Sequence, residues 1–484
     1  MSRLDGPLRT ALRRRPLRQA TLGFAAITLG EWVLGTVVAI ELFDRGGALA
    51  VGAVGARFVP AAFASVLLST LADRWRASHV LSGIGAARAV VTAAVMVALS
   101  AGAPVAVIVG LVWLDAAIGA GYRPAQARLL PSVARTPQEL TAAVTLISTA
   151  KSGGQILGAL AGSGLLLLVG APGAVAGACA LFGLAAVASR AVRTGPVSVS
   201  LTVRRSAGRR LIDGLEAVAS STGASRVSAW SCARSLLRGV WTSLGVLAAL
   251  TLLHLGDGGY GVLMAAAGVG TFLGVAISTQ LVGRRHLAAP FAAALGVAGA
   301  AVAGVGLTAW PLAAVAMMIG WGAGMAVADV AAQSLLARVV APSDSARVVG
   351  SMEGLKLLAE GLGALAAPLA AEVVGLREAL SGAGLLLVLA LLADLRGFAA
   401  LDRVARGRVE LLELAHGVPL FGHLRVDGLE SLVAPMVPVS VRAGDELITQ
   451  DALGSQWYLV RSGQFGVEVD GFRTGTVGRG GAFG

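Results

Sequence analysis

The chain has 484 residues, of which 56% are hydrophobic and only 14% are charged, and its mean hydropathy is +0.78. Soluble domains keep about a quarter of their residues charged, so this composition excludes a soluble globular protein and indicates that lipid surrounds most of the chain. The net charge of +12 does not indicate nucleic-acid binding, because the arginines lie in short junctions between apolar stretches rather than on one surface.

Successive apolar stretches, each long enough to cross a bilayer, fill the chain as far as residue 396. They predict an all-α polytopic membrane protein with 12 transmembrane helices. The predicted spans are about 18–42, 49–72, 79–100, 104–122, 139–169, 172–190, 226–254, 258–282, 286–308, 310–336, 346–374 and 376–396.

Arginine clusters fall on every second junction between these spans. The opposite junctions carry only Arg45 and Arg377, each beside an acidic residue. Positive charge stays on the cytoplasmic side of a membrane, so we expect a multi-pass protein of the inner or plasma membrane with both termini in the cytoplasm. The clustered arginines are Arg3, Arg9, Arg13, Arg14, Arg15, Arg74, Arg76, Arg123, Arg128, Arg135, Arg204, Arg205, Arg209, Arg210, Arg284, Arg285, Arg338 and Arg347.

The longest junction, residues 191–225, divides the spans into six and six. An internal repeat supports the division, because Ala125-Gln126 near the end of span four parallels Ala332-Gln333 near the end of span ten. Two such halves are typical of pseudo-symmetric transporters. The predicted domains are an N-terminal bundle (1–190), a cytoplasmic linker with an amphipathic helix (191–225), a C-terminal bundle (226–398), a connecting helix (399–416) and a small module (417–484).

Two short motifs stand out, Leu71-Ala72-Asp73-Arg74 after span two and Gly154, Gly158 and Gly162 in span five. With them, about residues 15–398 resemble the major facilitator superfamily, the first motif being similar to that family's cytoplasmic loop and the second to its antiporter motif. The resemblance implies two pseudo-symmetric six-helix bundles and favours an exporter. It also implies that Asp73 and Arg74 latch the halves in one conformation, and the alternative is an ordinary charged loop that sets the membrane topology. Small-residue helix packing is the alternative explanation of the three glycines.

Charged residues lie inside the predicted spans, where an ion costs about 2.5–3.5 kcal/mol at mid-helix. Such residues must pair or face water. Glu31 and Asp115 lie at similar depth, with Arg88 and Lys151 as candidate partners. The candidate transport and proton-coupling residues are Glu31, Arg57, Arg88, Asp115, Lys151, Asp329, Glu353, Lys356 and Glu360, and Arg234 and Arg238 also lie at depth.

Span eleven has the clearest charge pattern, because Glu353, Lys356 and Glu360 fall on one helix face as acid, base and acid. We hypothesise that one of the buried carboxylates takes up and releases the coupling proton, while lysines or arginines bind or gate an anionic group. The alternative is a set of static ion pairs that join helices.

The chain beyond residue 396 is polar. A predicted amphipathic helix, 401–414, precedes hydrophobic alternation at period two, typical of strands, and a short helix is expected around 428–436. The runs 418–424, 439–448 and 454–463 occur in the order that resembles a cyclic-nucleotide-binding domain. The resemblance implies a partial cytoplasmic β-roll with cAMP or cGMP as regulatory ligand.

The last four residues, Gly481, Ala482, Phe483 and Gly484, resemble the start of that domain's phosphate-binding cassette, a cradle of backbone amides. The cassette's glutamate and arginine would follow them, so we expect the sequence to be a truncated form of a longer protein; the alternative is a module that does not bind nucleotide.

Together these patterns predict a secondary active transporter, a proton-coupled exporter of a small amphipathic molecule, regulated by cyclic nucleotide. Its expected partners are membrane lipid, protons and the small-molecule substrate, without nucleic acid. The alternatives are a non-transporting receptor for cyclic nucleotide or lipid, and a lipid translocase. The sequence has no metal-ligand spacing and no nucleophile–base pattern, so neither a metal, nor a cofactor, nor an enzyme is expected.

Overall fold

The computed structural model describes residues 14–72, 75–133, 137–192, 215–216, 218–219, 221–256, 258–281, 286–340, 342–419, 421, 432–433, 436–437, 439–451 and 456–484. It is mainly helical, as a chain in lipid must be, because only internal hydrogen bonds can satisfy the backbone there. The helices are α1 (Arg15–Gly55), α2 (Phe58–Ala72), α3 (Ala77–Ser100), α4 (Val105–Gly119), α5 (Tyr122–Val133), α6 (Pro137–Arg190), α7 (Thr222–Leu247), α8 (Gly259–Ser278), α9 (Ala288–Leu307), α10 (Pro311–Val339), α11 (Pro342–Val374), α12 (Leu376–Ala393) and α13 (Leu395–Gly417).

Ten helical segments of the described residues are long and apolar enough to cross a membrane. Two of them, Arg15–Ser65 with 51 residues and Thr149–Arg190 with 42, exceed a single crossing, for which about 20 residues suffice. Both contain glycines with non-helical backbone angles, at Gly46–Gly47 in α1 and at Gly170 in α6. The φ angles of Gly47 and Gly170 are 62° and 71°, a conformation that side chains other than glycine rarely adopt.

The chain reverses direction at both glycine breaks. A Cβ atom at Gly35 would lie 3.4 Å from Nη2 of Arg57, and a Cβ at Gly177 would lie 3.4 Å from Cδ1 of Leu165. In a straight helix, residues 12 apart are separated by about 18 Å, so neither contact is compatible with a continuous rod. α1 and α6 are therefore hairpins of two arms, and the side of the molecule that holds these turns is called the hairpin side below.

Buried apolar side chains form two large clusters, one within residues 17–192 and one mainly within 218–401. Four side chains of the first half, Ala39, Ile40, Val51 and Ala159, belong to the cluster of the second half. Ile40 and Val51 flank the Gly46–Gly47 turn, and Ala159 lies in the arm that leads to Gly170. The two halves therefore pack together on the hairpin side.

Glycines allow the helices of the second half to approach closely. α7 lies so close to α11 that a Cβ at Gly239 would overlap the carbonyl oxygen of Glu360, so this approach requires glycine. α10 lies against α8 in the same way, with Gly322 beside the carbonyl of Ala267. Small residues at such crossings are how membrane helices gain packing contacts.

The C-terminal region contains α13 and two small antiparallel sheets, one of β1 (Tyr458–Leu459) with β4 (Ala482–Phe483) and one of β2 (Gln464–Val469) with β3 (Phe472–Gly478). α13 is longer than the predicted helix 401–414. The strand-like run 439–448 forms turns and bends instead. Its alternation is interrupted at Gly444, where φ is 94°, and at the turn in which Asp445 bonds back to Arg442.

The described C-terminal residues show these two small sheets rather than a complete β-roll. Most of the helix predicted around 428–436 lies outside the described residues, as does most of the linker 191–225.

Candidate transport site between the two halves

Arg88 of α3 is the centre of an ion cluster in the first half. Its Nε and Nη2 atoms donate to Oδ1 and Oδ2 of Asp115 at 2.9 Å and 2.8 Å, and its Nη1 donates to Oε1 of Glu31 on α1. Arg88 and Asp115 are buried, and the guanidinium stacks over the ring of Phe182 at 4.2 Å. A planar guanidinium can bind two carboxylates and an aromatic face at once. Of the two candidate partners of Glu31 and Asp115, Arg88 is confirmed, whereas Lys151 forms no ion pair with either carboxylate among the described residues.

The cluster is closely packed around the guanidinium. A Cβ at Gly119 would lie 3.1 Å from Cζ of Arg88, and a Cβ at Gly30 would lie 2.8 Å from the ring of Phe182. Glu31 differs from the rest because 43% of its side chain is exposed. Solvent therefore reaches this cluster at Glu31.

The second half holds a chain of ions across α7, α10 and α11. Arg234 donates to Oδ1 of Asp329 at 2.7 Å, and the amine of Lys356 lies 3.5 Å from the same oxygen. Lys356 also bonds Oε1 of Glu353 at 2.6 Å. The pair of Glu353 with Lys356 confirms the predicted contact along one helix face.

The charge pattern of α11 indicates a partner for Glu360 within the same helix, but the observed partner lies on α7. Nε of Arg238 on α7 donates to Oε1 of Glu360 at 2.9 Å, and Glu360 is buried. The close approach at Gly239 brings Arg238 within reach. Arg234 and Arg238 were not among the candidate site residues. The signal that identifies them is their depth in the span and their spacing of one helical turn.

Glu31 and Arg238 occupy corresponding positions in the two halves. Their numbers differ by 207 (238 − 31), which is also the spacing of the repeat between Gln126 and Gln333 (333 − 126). Each lies near the middle of its membrane helix, and 43% and 42% of their side chains are exposed. Mid-helix charges that remain exposed indicate a water-filled gap between the halves.

Lys151 and Arg57 border the same gap. Lys151 of α6 lies deep in the molecule, yet solvent reaches its side chain, and its charge interacts across the gap with those of Asp329, Arg238 and Lys356. It has no ion-pair partner among the described residues. Arg57, between α1 and α2, stacks over the ring of Phe58 at 5.1 Å.

The charge of Arg57 interacts with carboxylates of both halves, namely Glu31, Asp115 and Glu360. Arg57 therefore lies between the two ion clusters.

Close helix contacts seal the gap toward the hairpin side. A Cβ at Gly55 would lie 2.6 Å from Cβ of Ala364 on α11, and a Cβ at Gly261 of α8 would lie 2.8 Å from the carbonyl of Ala159 on α6. A Cβ at Gly268 would lie 3.3 Å from the side chain of Gln155. These contacts lie between the level of the ion clusters and the hairpin turns, so the gap opens away from the hairpin side.

The two family-like motifs have different outcomes. Gly154, Gly158 and Gly162 of α6 pack against α1, since Cβ atoms there would lie 2.7 Å from Thr28, 2.7 Å from Trp32 and 3.1 Å from Val33. Close helix packing therefore accounts for the three glycines, and their role in antiport stays a prediction. Asp73 and Arg74 lie outside the described residues.

Polar contacts attach α13 to the second half. Asp394, which precedes the helix, accepts a hydrogen bond from Nε1 of Trp230 at 2.9 Å and pairs with Arg226 at 3.3 Å. Oδ1 of Asp402 accepts from the backbone amides of Leu287 and Ala288 at 3.1 Å and 2.9 Å, at the start of α9. α13 is therefore attached to α7 and α9.

α13 also holds the small sheets. Glu410 accepts from Arg461 at 2.9 Å and from Arg479 at 2.7 Å. Two of the four residues expected to begin a phosphate cradle, Ala482 and Phe483, form strand β4, and the ring of Phe483 packs against Tyr458 and Phe465. The amides of Gly480 and Gly481 donate to carbonyls of Val460 and Gly478, both at 2.9 Å, so their bonds are internal to the chain.

Comparison with solved structures shows what the helical part is similar to. The nucleoside transporter NupG (D323A mutant) is 13% identical with a TM-score of 0.65, over 79% of this chain and 100% of that one. A bacterial homologue of the human lysosomal transporter Spinster, inward-facing and unoccupied, is 16% identical with a TM-score of 0.59, over 82% and 98%. A POT family transporter in complex with a thioalcohol-conjugated peptide is 11% identical with a TM-score of 0.63, over 80% and 96%.

At these identities the comparisons establish the fold alone, which is the fold of these transporters. With its ten long apolar helical segments, the chain is a multi-pass membrane protein. No family model and no curated protein matches the sequence. The three matched proteins are transporters rather than enzymes, in agreement with the prediction for this chain. Among the described residues, no group of three or more His, Cys, Asp or Glu side chains could hold a metal ion.

Proposed function

We propose that the chain is a secondary active transporter that works by alternating access, with the substrate bound in the gap between its halves. The main support for this proposal is that ion clusters of both halves border one gap that is closed toward the hairpin side. A carrier needs such a site near the bilayer midplane between two rigid bundles. The matched nucleoside and peptide transporters support the class of function and do not identify a substrate.

In this proposal each arm of the two hairpins crosses the membrane separately, which makes twelve crossings. The arginine distribution then places both termini, α13 and the open end of the gap in the cytoplasm. The conformation described above is thus inward-facing, in which a molecule enters the gap from the cytoplasm.

The proposed direction is export of a small amphipathic molecule, coupled to protons. Glu31 is the leading candidate for the coupling carboxylate because its side chain is exposed to solvent, whereas Arg88 and Asp115 in the same cluster are buried. Proton uptake at Glu31 would remove one of the two charges that hold Arg88, so protonation and helix position would be linked. Asp115, Glu353 and Glu360 are the other candidates.

Flux into proteoliposomes tests this function. Vesicles carrying the purified chain would receive a fluorescent anion (carboxyfluorescein), a cation (rhodamine 6G) or a fluorescent phospholipid, with and without an imposed pH gradient. Uptake of a soluble dye that the gradient accelerates supports proton-coupled transport. Movement of the phospholipid alone would indicate a lipid translocase, and movement of none would favour a receptor.

Single substitutions separate the coupling carboxylate from the static pairs. Glu31→Gln should lose the response to the pH gradient while keeping dye exchange at equal pH, and Glu41→Gln serves as the matched control, because Glu41 pairs with Arg45 outside the two ion clusters. Unchanged gradient-driven flux in Glu31→Gln, Asp115→Asn, Glu353→Gln and Glu360→Gln would remove proton coupling through these residues.

The regulatory part of the proposal is that cyclic nucleotide at the C-terminal module biases the transport cycle through α13. It is supported by the sequence resemblance and by the contacts of α13 with α7, α9 and the small sheets. Because coupling between two sites is reciprocal, cAMP or cGMP that changes dye affinity must itself bind more tightly or more weakly when dye is present. Titration of each ligand at saturating levels of the other measures this.

A further inference from the structure

The charges around the gap do not cancel. In the second half the three carboxylates described at the gap each bond a cation, since Asp329 pairs with Arg234, Glu353 with Lys356 and Glu360 with Arg238. In the first half the charges of Glu31 and Asp115 are balanced by those of Arg88 and Arg57. Lys151 is additional and has no ion-pair partner among the described residues. The exposed Arg123 interacts electrostatically with Lys151. The surplus charge of this part of the gap is therefore positive.

Helix geometry places Lys151 at the edge of the sealed zone. Gln155, one turn further along α6, is buried and packs against Gly268 of α8. Gly154 and Gly158 of α6 pack against α1. Lys151 lies on the same face, one turn before these contacts, and is exposed. Its amine is therefore in the gap, where the two halves begin to separate.

An ammonium group without a counter-charge is costly inside a membrane protein once water leaves. In the inward-facing state water solvates Lys151. When the halves close over it, that water is displaced, and Asp329 is already bonded by Arg234 and Lys356. An anion that enters with the substrate would supply the missing charge.

We propose that the gap is an anion-binding site in which Lys151, with Arg123 beside it, is the ligand of a carboxylate or phosphate group on the transported molecule. This inference rests on the proposed function, because the bound anion is taken to be part of the transported molecule, and it names the substrate class. It also makes closure of the gap depend on bound anion, because closing the empty gap would leave the ammonium group of Lys151 without water and without a counter-charge.

A cysteine reporter measures the sign of the potential in the gap without requiring transport. Gln333 is exposed and lies one turn from Asp329 on α10, so Gln333→Cys would be introduced into the full chain with Cys179→Ala and Cys232→Ala. The anionic sulfonatoethyl and the cationic trimethylammonioethyl methanethiosulfonates would then be compared by reaction rate. Val439→Cys, on the exposed C-terminal region, corrects for their intrinsic reactivities.

The anionic reagent should react several-fold faster than the cationic one, because a surplus positive charge favours the approach of an anion and opposes that of a cation. Lys151→Gln should abolish most of this preference, and Lys151→Arg should keep it. Equal rates for both reagents, or a preference that Lys151→Gln leaves unchanged, would overturn the anion site while leaving the open gap intact. If neither reagent reacts, the gap is not open, and the proposed function fails together with the inference.

Discussion

The two halves hold their charges in different ways. In the first half one buried guanidinium, Arg88, is shared by Glu31 and Asp115 and is covered by Phe182. In the second half the ions are spread over three helices, and the exposed fractions of Arg238, Asp329 and Glu353 are 42%, 31% and 46%. Charges in a low dielectric interact strongly, whereas exposed pairs are screened. The first cluster therefore fixes helices, and the second can exchange partners as the gap changes.

The halves also differ in their contacts with α13. Within the helical bundles, the main described contacts of α13 are with α7, α9, α10 and α12, all in the second half. A force on α13 therefore acts on the half whose ion pairs are exposed. This arrangement is what cyclic-nucleotide control of the transport cycle would require.

The largest expected effect is from Arg88→Met, which leaves two carboxylates without their shared cation. Removing one partner of a buried ion pair costs about 3–5 kcal/mol, so the free energy of unfolding should fall by about that amount. Arg238→Met should cost only about 1–3 kcal/mol, because solvent reaches its site. Unfolding in mixed micelles with increasing dodecyl sulfate measures both. Equal losses in the two variants would contradict the contrast between a fixed and an open cluster.

The next effect concerns the seal on the hairpin side. Gly261→Val adds a side chain where even a Cβ would lie 2.8 Å from the carbonyl of Ala159. Overpacking costs about 1–3 kcal/mol, here in the conformation that is closed on the hairpin side, so the population should shift about five- to 150-fold toward the opposite state. Spin labels at Leu49→Cys and Val373→Cys, exposed on the hairpin side of each half, should move apart.

Gly153→Val is the matched control for this seal, because a Cβ at Gly153 meets nothing within 4 Å. Its label separation should equal that of the unsubstituted chain. If Gly261→Val also leaves the separation unchanged, the contact between α6 and α8 is not a seal.

Sequence patterns predicted the hairpin breaks and the cluster at Arg88 for clear physical reasons. Apolar runs of about 50 and 42 residues exceed one bilayer thickness, so chain reversals near Gly46 and Gly170 were required. Mid-helix charges must find partners in lipid, which brought Arg88 together with Glu31 and Asp115.

The partner of Glu360 and the form of the C-terminal module could not be predicted in the same way. Lys356 and Arg238 were both within reach of Glu360, and the choice depends on how closely Gly239 lets α7 approach α11. The alternation in 439–448 predicts a strand only where another strand is present to pair with it, and a short sequence run does not contain that information.

A smaller effect is expected at the junction of α13 with α9. Asp402→Ala removes the carboxylate that accepts from the amides of Leu287 and Ala288. Loss of such a helix cap costs about 0.5–2 kcal/mol, seen as a lower thermal midpoint and faster hydrogen exchange at the start of α9. Glu372→Ala, at an exposed position on α11, should stay within about 0.5 kcal/mol of the unsubstituted chain. A change in exchange confined to α13 would place the junction elsewhere.

The smallest effect is expected where Glu410 holds Arg461 and Arg479. All three side chains are partly exposed, with 31%, 54% and 62% accessible, and exposed ion pairs contribute about 0–1 kcal/mol each. Glu410→Gln should therefore speed hydrogen exchange in β2 and β3 only a few-fold, and 1 M salt should do the same to the unsubstituted chain, since the Debye length there is about 3 Å. The exposed Glu446 offers Glu446→Gln as a control without effect. Exchange that is insensitive to both Glu410→Gln and salt would mean that apolar contacts around Phe421 and Trp457, rather than charge, attach the sheets to α13.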